Sequence, residues 1–369
     1  MSTKKSLLIT LKHLGDTVTT TVVIPMLKRR YPGMEIHYLV NPESRALVEP
    51  HPDVSRVRVA PRKAGPGAFW GLVRELRAER YDFAFDFSEG DRSALISFLS
   101  GARRRFAYFT GRGYVLRNLI SGKQAPSWKD NPERAVAECH ADLARMAGCD
   151  GPVAPYASLG LSQEGKAEAE GFLHLHDPDG LPYAVCHFTA RDPFRLWPAE
   201  RCADCVAFLR ERVGPVFLAT SGEGGEARFV ERIIEISGGQ AVSTAGVSLS
   251  GLMALVAGAR GAVGLDSLVM HVAGAFGVPV IGIFGPSRER NWAPKGPWVR
   301  CARMELDCRS CVKGGCLENG LVSRCLKEMD FATYLLPHLE EMLATDPPTR
   351  PWPPEAEAMR LALAPLARG

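Results

Sequence analysis

An acidic residue follows the first apolar segment of the chain. Residues 6–11 have the pattern of a buried strand, and Asp16 lies in the turn that leads into the next helix. A carboxylate at the carboxyl end of a strand can accept the proton that a hydroxyl loses as it attacks an electrophilic carbon. Asp is also favoured at helix N-caps. We therefore predict that Asp16 is a general base, and a purely capping role is the alternative.

A second polar group follows a strand near the middle of the chain. Thr189, Arg191 and Arg195 come directly after an apolar run, and Trp197 precedes a proline that can start a helix. Guanidinium groups bind phosphate in a bidentate manner, and a threonine hydroxyl can add a hydrogen bond. We predict that these residues bind a diphosphate. The alternative is an exposed loop that Trp197 anchors to the core.

A third group opens a helix late in the chain. Asp266 and Ser267 follow a strand, and Met270 and His271 lie one turn further along the helix. Backbone N–H groups at a helix start form an anion site. Taken alone, these residues fit an N-cap and an ordinary helix histidine. Together with the second group in the same half of the chain, they predict a nucleotide-diphosphate site.

Missing motifs narrow the chemistry. The strand-to-helix junctions contain no G-x-G-x-x-G, which disfavours nicotinamide or flavin binding, and residues 121–124 are only a fragment of a P-loop. No D-x-D stands at a strand end, so a metal-bound diphosphate is not implied. Arginine and a helix start would then stabilise the leaving group. We expect no cofactor and no metal at the site.

The elements that position these groups alternate between strand and helix, which predicts parallel sheets covered by helices. The fold class is therefore α/β and GT-B-like, with two doubly wound Rossmann-like domains facing a cleft. The predicted strands span residues 6–11, 35–40, 82–87, 183–187, 215–219, 261–265 and 278–284. The predicted helices span residues 16–31, 69–80, 93–99, 198–212, 226–236, 249–257 and 268–276.

The length of 369 residues fits two domains. We predict an N-terminal domain over residues 1–160 and a C-terminal domain over residues 180–345. Residues 346–369 form a Pro-rich tail, extended at first and helical over residues 355–367.

Charge is distributed unevenly between the two halves. The first 150 residues carry 24 Lys+Arg and 16 Asp+Glu, a net charge of +8, and the remainder has a net charge of −4. A basic half predicts an anionic partner, and a solvated basic surface is the alternative. No apolar run is long enough to span a membrane, and the first one is too short for a secretory signal. A cytoplasmic protein with reduced thiols is expected.

The three groups together resemble glycosyltransferase family 9, the ADP-heptose:lipopolysaccharide heptosyltransferases. The resemblance extends in the same order to about residue 340. It implies that Asp16, in the L-G-D segment, is the catalytic base. It also implies that Arg195, just before the W-P pair, binds phosphate. The family is metal-independent and inverting.

The resemblance assigns further donor-site residues. The D-S-x-x-M-H segment that wraps the nucleotide falls on Asp266, Ser267, Met270 and His271, and the F-G-P-S segment falls on residues 284–287. Glu223 matches the ribose-binding region only loosely. Residues 89–94, residues 100–103 and a later cysteine cluster look most like the heptosyltransferase III branch.

The cysteine cluster comprises Cys308, Cys311, Cys316 and Cys325. One C-x-x-C pair is compatible with structural zinc, but the spacing after Cys311 is irregular for a zinc ribbon. Packed thiols or a disulfide are the alternatives. In each case the resemblance implies a structural role.

The resemblance implies a partner for each predicted domain. An ADP-sugar donor would bind the C-terminal domain, and the lipopolysaccharide core at the inner membrane face would bind the N-terminal domain, with Arg92 as an acceptor contact. Peripheral association with the inner membrane is an additional expectation, and neither nucleic-acid binding nor a transmembrane segment is expected. The alternatives are a transferase that uses another nucleotide sugar, a non-catalytic sugar-nucleotide binding protein and a dinucleotide oxidoreductase.

Overall fold

The chain divides into two units that pack internally, residues 1–160 and residues 161–369. The computed structural model describes residues 3–63, 65–109, 111, 115–130, 133–151, 156–177, 179–308, 316 and 323–344. The Pro-rich tail and its predicted helix lie outside these residues. Within them, no helix has the length and apolar character needed to cross a membrane.

The first unit contains six strands and seven helices among its described residues. The strands are β1 (Lys5–Thr10), β2 (Glu35–Val40), β3 (Arg56–Val59), β4 (Phe83–Asp86), β5 (Arg104–Tyr108) and β6 (Lys123–Ala125). The helices are α1 (Leu14–Thr20), α2 (Val23–Arg30), α3 (Arg45–Val48), α4 (Pro66–Ala78), α5 (Asp91–Leu99), α6 (Val115–Ile120) and α7 (Val136–Met146).

These strands form one parallel sheet in the order β3-β2-β1-β4-β5-β6. The central strand β1 pairs on both sides, Leu7 with His37 of β2 and with Ala84 of β4. Its residues 6–10 are all buried, as expected of a strand covered on both faces. The continuous apolar run in the sequence has this physical cause.

The second unit contains six strands and nine helices among its described residues. The strands are β7 (Ala184–His187), β8 (Val216–Leu218), β9 (Val242–Ser243), β10 (Gly261–Leu265), β11 (Val280–Phe284) and β12 (Val299–Arg303). The helices are α8 (Gln163–His176), α9 (Ala199–Arg212), α10 (Gly224–Ile236), α11 (Leu249–Gly258), α12 (Leu268–Phe276), α13 (Glu289–Trp292), α14 (Arg324–Lys327), α15 (Phe331–Tyr334) and α16 (Leu336–Ala344).

The second sheet is also parallel, in the order β12-β11-β10-β7-β8-β9. Counted from the first strand of each unit, both sheets have the order 3-2-1-4-5-6, which is the doubly wound Rossmann arrangement. The α/β class that the sequence predicts is confirmed. The second core contains Trp197, Val263 and Ile281 from both strands and loops.

One predicted helix is wrong in its extent. Residues 16–31 were expected to form a single helix, but a turn at residues 21–22 separates α1 from α2. The hydroxyl of Thr21 donates to the carbonyl of Val18, and Pro25 has no N–H to bond the carbonyl of Thr21. Local bonding therefore replaces the regular helical ladder at this point.

A helix occupies the segment that the sequence analysis left between the two domains. Residues 161–179 include α8, whose N-cap Ser162 accepts a hydrogen bond from the N–H of Gly165 at 3.0 Å. The helix packs against α11, so it belongs to the second unit.

Candidate functional site

In the second unit, the order in which the strands are added to the sheet reverses between β7 and β10. Strands β8 and β9 lie on one side of this point, and β11 and β12 lie on the other. Ligands of doubly wound sheets bind beyond the carboxyl ends of the strands at such a switch point. The loops after β7 and β10 carry the second and third predicted groups, so the fold brings both groups to one edge of the sheet.

An ion pair joins these two loops. Arg195 ends a short 3-10 helix, and its Nη2 lies 3.0 Å from Oδ2 of Asp266. The arginine side chain is 33% exposed and the aspartate side chain is 14% exposed. A guanidinium has five N–H donors, so its bond to Asp266 leaves donors for a further anion. The ion pair therefore positions the guanidinium of Arg195 at the switch point, where its remaining N–H groups can bind an anion.

The loop that carries Arg195 is fixed on both flanks. Trp197 is fully buried, and its Nε1 donates to the carbonyl of Met329 at 2.9 Å. The carbonyl of Phe194 accepts hydrogen bonds from the hydroxyl and the N–H of Ser323. Trp197 therefore anchors the loop to the core while the side chain of Arg195 stays partly exposed. The anchor limits the positions that the guanidinium can take.

Thr189 lies in a hydrogen-bonded cluster that the sequence analysis missed. Its hydroxyl donates to the carboxylate of Glu226, which also accepts from the hydroxyl of Ser221. Nε2 of His187 lies 3.1 Å from Oγ1 of Thr189. Because the Thr189 proton goes to Glu226, the His187 ring must donate from Nε2, and its Nδ1 is an acceptor. Nδ1 is buried and has no hydrogen-bond partner in the described part of the chain.

The charge states of this cluster follow from burial and hydrogen bonding. Burial alone would raise the pKa of Glu226, but hydrogen bonds from Ser221 and Thr189 outweigh it, and the pKa is lowered. Burial lowers the pKa of His187. Glu226 is therefore a carboxylate beside a neutral imidazole. Its position in the first turn of the helix after β8 is the sequence signal that could have identified it.

Ser267 also has an unused hydrogen-bonding atom. It is the N-cap residue of α12, yet its side chain makes no capping bond, and its buried Oγ has no partner among the described residues. Buried polar atoms are nearly always paired in folded proteins. The hydroxyl of Ser267 and Nδ1 of His187 are therefore available to a ligand at the carboxyl ends of β10 and β7.

The remaining predicted donor residues differ in exposure. Arg191 and Glu223 are exposed in the loops after β7 and β8. His271 is buried in α12, and Met270 is fully buried, with its sulfur close to Gly282 of β11. Arg191 and Glu223 lie at the same sheet edge as Arg195, and Met270 packs in the core.

The first unit has a corresponding switch point between β1 and β4. Nζ of Lys12, in the loop after β1, lies 2.9 Å from Oε2 of Glu89, in the loop after β4. Lys129 binds the same oxygen at 3.0 Å. Burial opposes the charge on Glu89, but Lys12 and Lys129 together lower its pKa. Glu89 has a φ of 55°, a left-handed conformation that costs about 1 kcal/mol or more for a non-glycine residue.

Asp16 lies in the first turn of α1, as its third residue, and not at the N-cap. Its Oδ2 accepts a hydrogen bond from the N–H of His13, the N-cap residue, at 3.3 Å. The carboxylate is half-buried. Asp16 therefore contributes to capping through its side chain and remains accessible at the carboxyl edge of the first sheet.

A chain of buried hydrogen bonds ends on the backbone of Asp16. The hydroxyl of Thr19 donates to the carbonyl of Asp16 at 2.8 Å, and Nε2 of His140 lies 3.1 Å from that hydroxyl oxygen. The hydroxyl oxygen of Tyr108 lies 2.5 Å from Nδ1 of His140. Because the hydroxyl of Thr19 donates its hydrogen bond to the carbonyl of Asp16, Nε2 of His140 must donate to Thr19. Nδ1 of the neutral ring then accepts from the hydroxyl of Tyr108. Burial lowers the pKa of His140 to about 3, so the ring is neutral.

Arg92 lies in the first turn of α5, beyond the carboxyl end of β4. It is half-buried, and its Nη2 donates to the carbonyl of Pro61 at 2.5 Å. This bond ties α5 to the loop after β3.

No group of three or more His, Cys, Asp or Glu side chains is placed to hold a metal ion within the described ranges. Cys311 lies outside those ranges, and so do most residues between Cys308 and Cys325. The state of the cysteine cluster therefore stays a prediction.

Comparison with known proteins gives a consistent result. The model of glycosyltransferase family 9 (heptosyltransferase) matches residues 69–322. Lipopolysaccharide heptosyltransferase 3 of Escherichia coli is 24% identical over 76% of this chain and 83% of that protein.

Solved structures agree in fold. Escherichia coli ADP-heptose lipopolysaccharide heptosyltransferase II has a TM-score of 0.73 at 22% identity, over 92% of this chain and 98% of that chain. Escherichia coli heptosyltransferase WaaC with ADP has a TM-score of 0.66 at 20% identity, over 80% of this chain and 92% of that one. The likeness confirms the GT-B-like fold class.

Proposed function

Since the chain belongs to glycosyltransferase family 9, the heptosyltransferases of lipopolysaccharide core synthesis, we propose that it moves a heptose from ADP-L-glycero-D-manno-heptose to the inner core of lipopolysaccharide. Within that family, its sequence motifs favour a step like that of heptosyltransferase III. One observation carries the donor assignment: the Arg195–Asp266 pair spans the β7/β10 switch point, where two buried polar atoms have no partner among the described residues.

The second unit binds the ADP part of the donor in this proposal. Arg195 and Arg191 contact the diphosphate, and the N–H groups at the start of α12 add a positive dipole. Ser267 and His271 supply polar contacts, whereas Thr189 cannot donate to the diphosphate, because its hydroxyl already donates to Glu226. Glu223 is proposed as a ribose contact, Glu226 fixes the orientation of Thr189, and Met270 packs in the core behind the site without contacting the donor.

The first unit supplies the base. The acceptor hydroxyl gives its proton to Asp16 as its oxygen bonds to the anomeric carbon. The bond from that carbon to the phosphate oxygen breaks at the same time, and ADP leaves with the electron pair. Attack from the face opposite ADP inverts the configuration. Arg195 stabilises the charge that develops on the leaving phosphate, without a metal.

The acceptor is proposed to be anionic lipopolysaccharide core at the inner membrane face, on the cytoplasmic side. The first 150 residues carry a net charge of +8, and Arg92 stands beyond the carboxyl end of β4. An alternative is a related transferase that uses another nucleotide sugar for cell-surface glycans. The residues named above contact phosphate and ribose, which all such donors share.

Calorimetry with ADP, UDP and GDP tests the donor assignment. ADP is expected to bind at least tenfold more tightly than the other two. Arg195→Ala is expected to weaken ADP binding by about 1.5–3 kcal/mol, the usual contribution of a charged hydrogen bond. Arg210→Ala, an exposed arginine of α9, is the matched control and should change nothing.

Three results would contradict parts of this proposal. Tighter binding of UDP or GDP would favour the alternative donor. Unchanged ADP affinity in Arg195→Ala would remove Arg195 from the diphosphate site. Absence of binding to any of the three nucleotides would refute the donor site in the second unit.

A further inference from the structure

Three neighbouring helices on the first unit expose large apolar side chains. Helix α5 packs against both α4 and α6. The exposed residues are Trp70 of α4, Leu95 and Phe98 of α5, and Val115 and Leu119 of α6. Val115 is 72% exposed and Leu119 is 78% exposed. Single exposed apolar residues are ordinary, but five of them on three adjoining helices indicate an interaction surface.

The spacing of these residues places them on the outward side of each helix. Leu95 and Phe98 are three apart, and Val115 and Leu119 are four apart, so each pair lies on one helix face. The inward positions of the same layer are filled separately, for example by Leu76 of α4 and Ile96 of α5 in the core of the unit. The exposed set is thus additional to the residues that the core requires.

Basic side chains lie among the apolar ones. Arg74 and Arg77 follow Trp70 by four and seven residues, on the same face of α4. Neither forms an ion pair with a carboxylate in the described part of the chain. The guanidinium of Arg105 lies 5.2 Å from the ring centre of Phe98. Cations therefore accompany the apolar side chains on both α4 and α5.

The acidic residues of these helices are already neutralised. Glu75 of α4 pairs with Arg58 at 3.4 Å, and Asp91 of α5 pairs with Arg117 at 3.3 Å. The outer surface of the three helices, called here the α4–α6 face, therefore combines apolar side chains with uncompensated positive charge.

We propose that the α4–α6 face binds the surface of an anionic phospholipid bilayer. The exposed apolar side chains enter the boundary between the lipid headgroups and the acyl chains, and the arginines contact the lipid phosphates. A second copy of this chain fits less well, because a two-fold interface would place this positively charged face against the same positively charged face of the partner. Such a surface would bring the enzyme close to an acceptor in the membrane. The binding of the α4–α6 face to lipid does not depend on glycosyl transfer.

Vesicle flotation tests the proposal with the full-length protein. Vesicles of phosphatidylglycerol and phosphatidylethanolamine should carry the protein at low salt, and pure phosphatidylcholine should carry much less. High salt should release a large part of it, because exposed charges are screened within about 10 Å at 0.1 M salt. The double variant Leu95→Ser/Leu119→Ser should bind roughly tenfold more weakly or worse, since two apolar side chains no longer enter the bilayer.

Controls separate this surface from general stickiness. Leu175 of α8 is 73% exposed, so Leu175→Ser is a matched substitution in the second unit and should leave binding unchanged. Brominated lipids should quench part of the tryptophan fluorescence of the wild type, and Trp70→Phe should remove that part. Asp16→Asn should still bind vesicles, which separates this test from failure of the proposed function.

Several outcomes would overturn the proposal. These are no flotation with anionic vesicles, equal loss of binding in Leu175→Ser, or unaltered binding in the double variant. Concentration-dependent dimerisation that Leu95→Ser/Leu119→Ser abolishes, without vesicle binding, would assign the α4–α6 face to self-association.

Discussion

Two ion pairs occupy equivalent positions in the two units. Lys12–Glu89 joins the loops after the first and fourth strands of the first unit, and Arg195–Asp266 does the same in the second. Desolvation offsets much of the Coulomb energy of such partly buried pairs, so we assign them little net stability. Their main effect is to hold the loops at each switch point in one arrangement before a ligand arrives.

The neutral state of His140 makes stability depend on pH. Burial sets its folded pKa to about 3, below the unfolded value of about 6.5. Between these values the unfolded chain binds a proton that the folded chain does not. The free energy of unfolding should therefore fall as pH decreases from 6.5, by up to about 1.4 kcal/mol per pH unit for one histidine.

Urea denaturation at pH 7.5, 5.5 and 4.5 measures this dependence. His140→Asn should be less stable at pH 7.5, and its stability should decline less steeply with acid. His51, whose pKa burial lowers to about 4, contributes with the same sign in both proteins. Parallel curves for the two proteins would show that His140 does not titrate as described.

Some site residues could be predicted from the sequence and others could not. Asp266 directly follows β10 and Arg195 lies in the loop after β7, so their places at one sheet edge follow from strand order. Their contact is seen only in the structure, and their role in binding a diphosphate stays a prediction. Glu226 was missed, because its role depends on Thr189, which is 37 residues away. The bond between Lys12 and Glu89 spans 77 residues and required the sheet topology.

At the scale of elements, seven inner strands were predicted, whereas the four edge strands β3, β6, β9 and β12 and the inner strand β5 were not. The runs that became β1, β2, β10 and β11 are apolar because neighbouring strands and helices cover them. The edge strand β3 has the sequence RVRV, which alternates as a half-buried strand should, but the alternation covers only four residues and was overlooked. Helix α8 was missed because its flanking residues are rich in turn formers.

The packing of α8 on α11 depends on a close backbone approach. A Cβ placed on Gly165 would lie 2.6 Å from the carbonyl oxygen of Ser250 in α11. At the same contact, Glu168 of α8 accepts a hydrogen bond from the N–H of Ser248, the N-cap of α11, at 2.7 Å. Glycine at position 165 is therefore required by the distance between the two helices.

Gly165→Ala is expected to destabilise the second unit by about 1–3 kcal/mol, the usual cost of overpacking. Gly171→Ala in the same helix is the matched control, because a Cβ there meets nothing within 4 Å. It should be neutral or stabilise by up to about 1 kcal/mol through helix propensity. Urea denaturation checks both, and equal effects of the two variants would contradict the proposed close contact.

At the scale of the whole molecule, two units of the same strand order carry different chemistry. The sequence predicted two doubly wound sheets from alternating elements, although the two halves show no sequence repeat. The charge difference between the halves, +8 and −4, was visible in composition. The assignment of the base to the first unit and of the nucleotide to the second remains our proposal.

The variant Asp16→Asn tests most directly whether the first unit supplies the catalytic base and the second unit binds the nucleotide. The amide keeps the shape of the side chain and can still accept the bond from the N–H of His13, but it is no longer basic. We expect kcat for heptosyl transfer from ADP-heptose to fall by roughly 10²–10⁴-fold, the usual contribution of general acid–base catalysis. ADP affinity and melting temperature should change little. Near-normal turnover with a lowered melting temperature would instead make Asp16 a capping residue and contradict the mechanism.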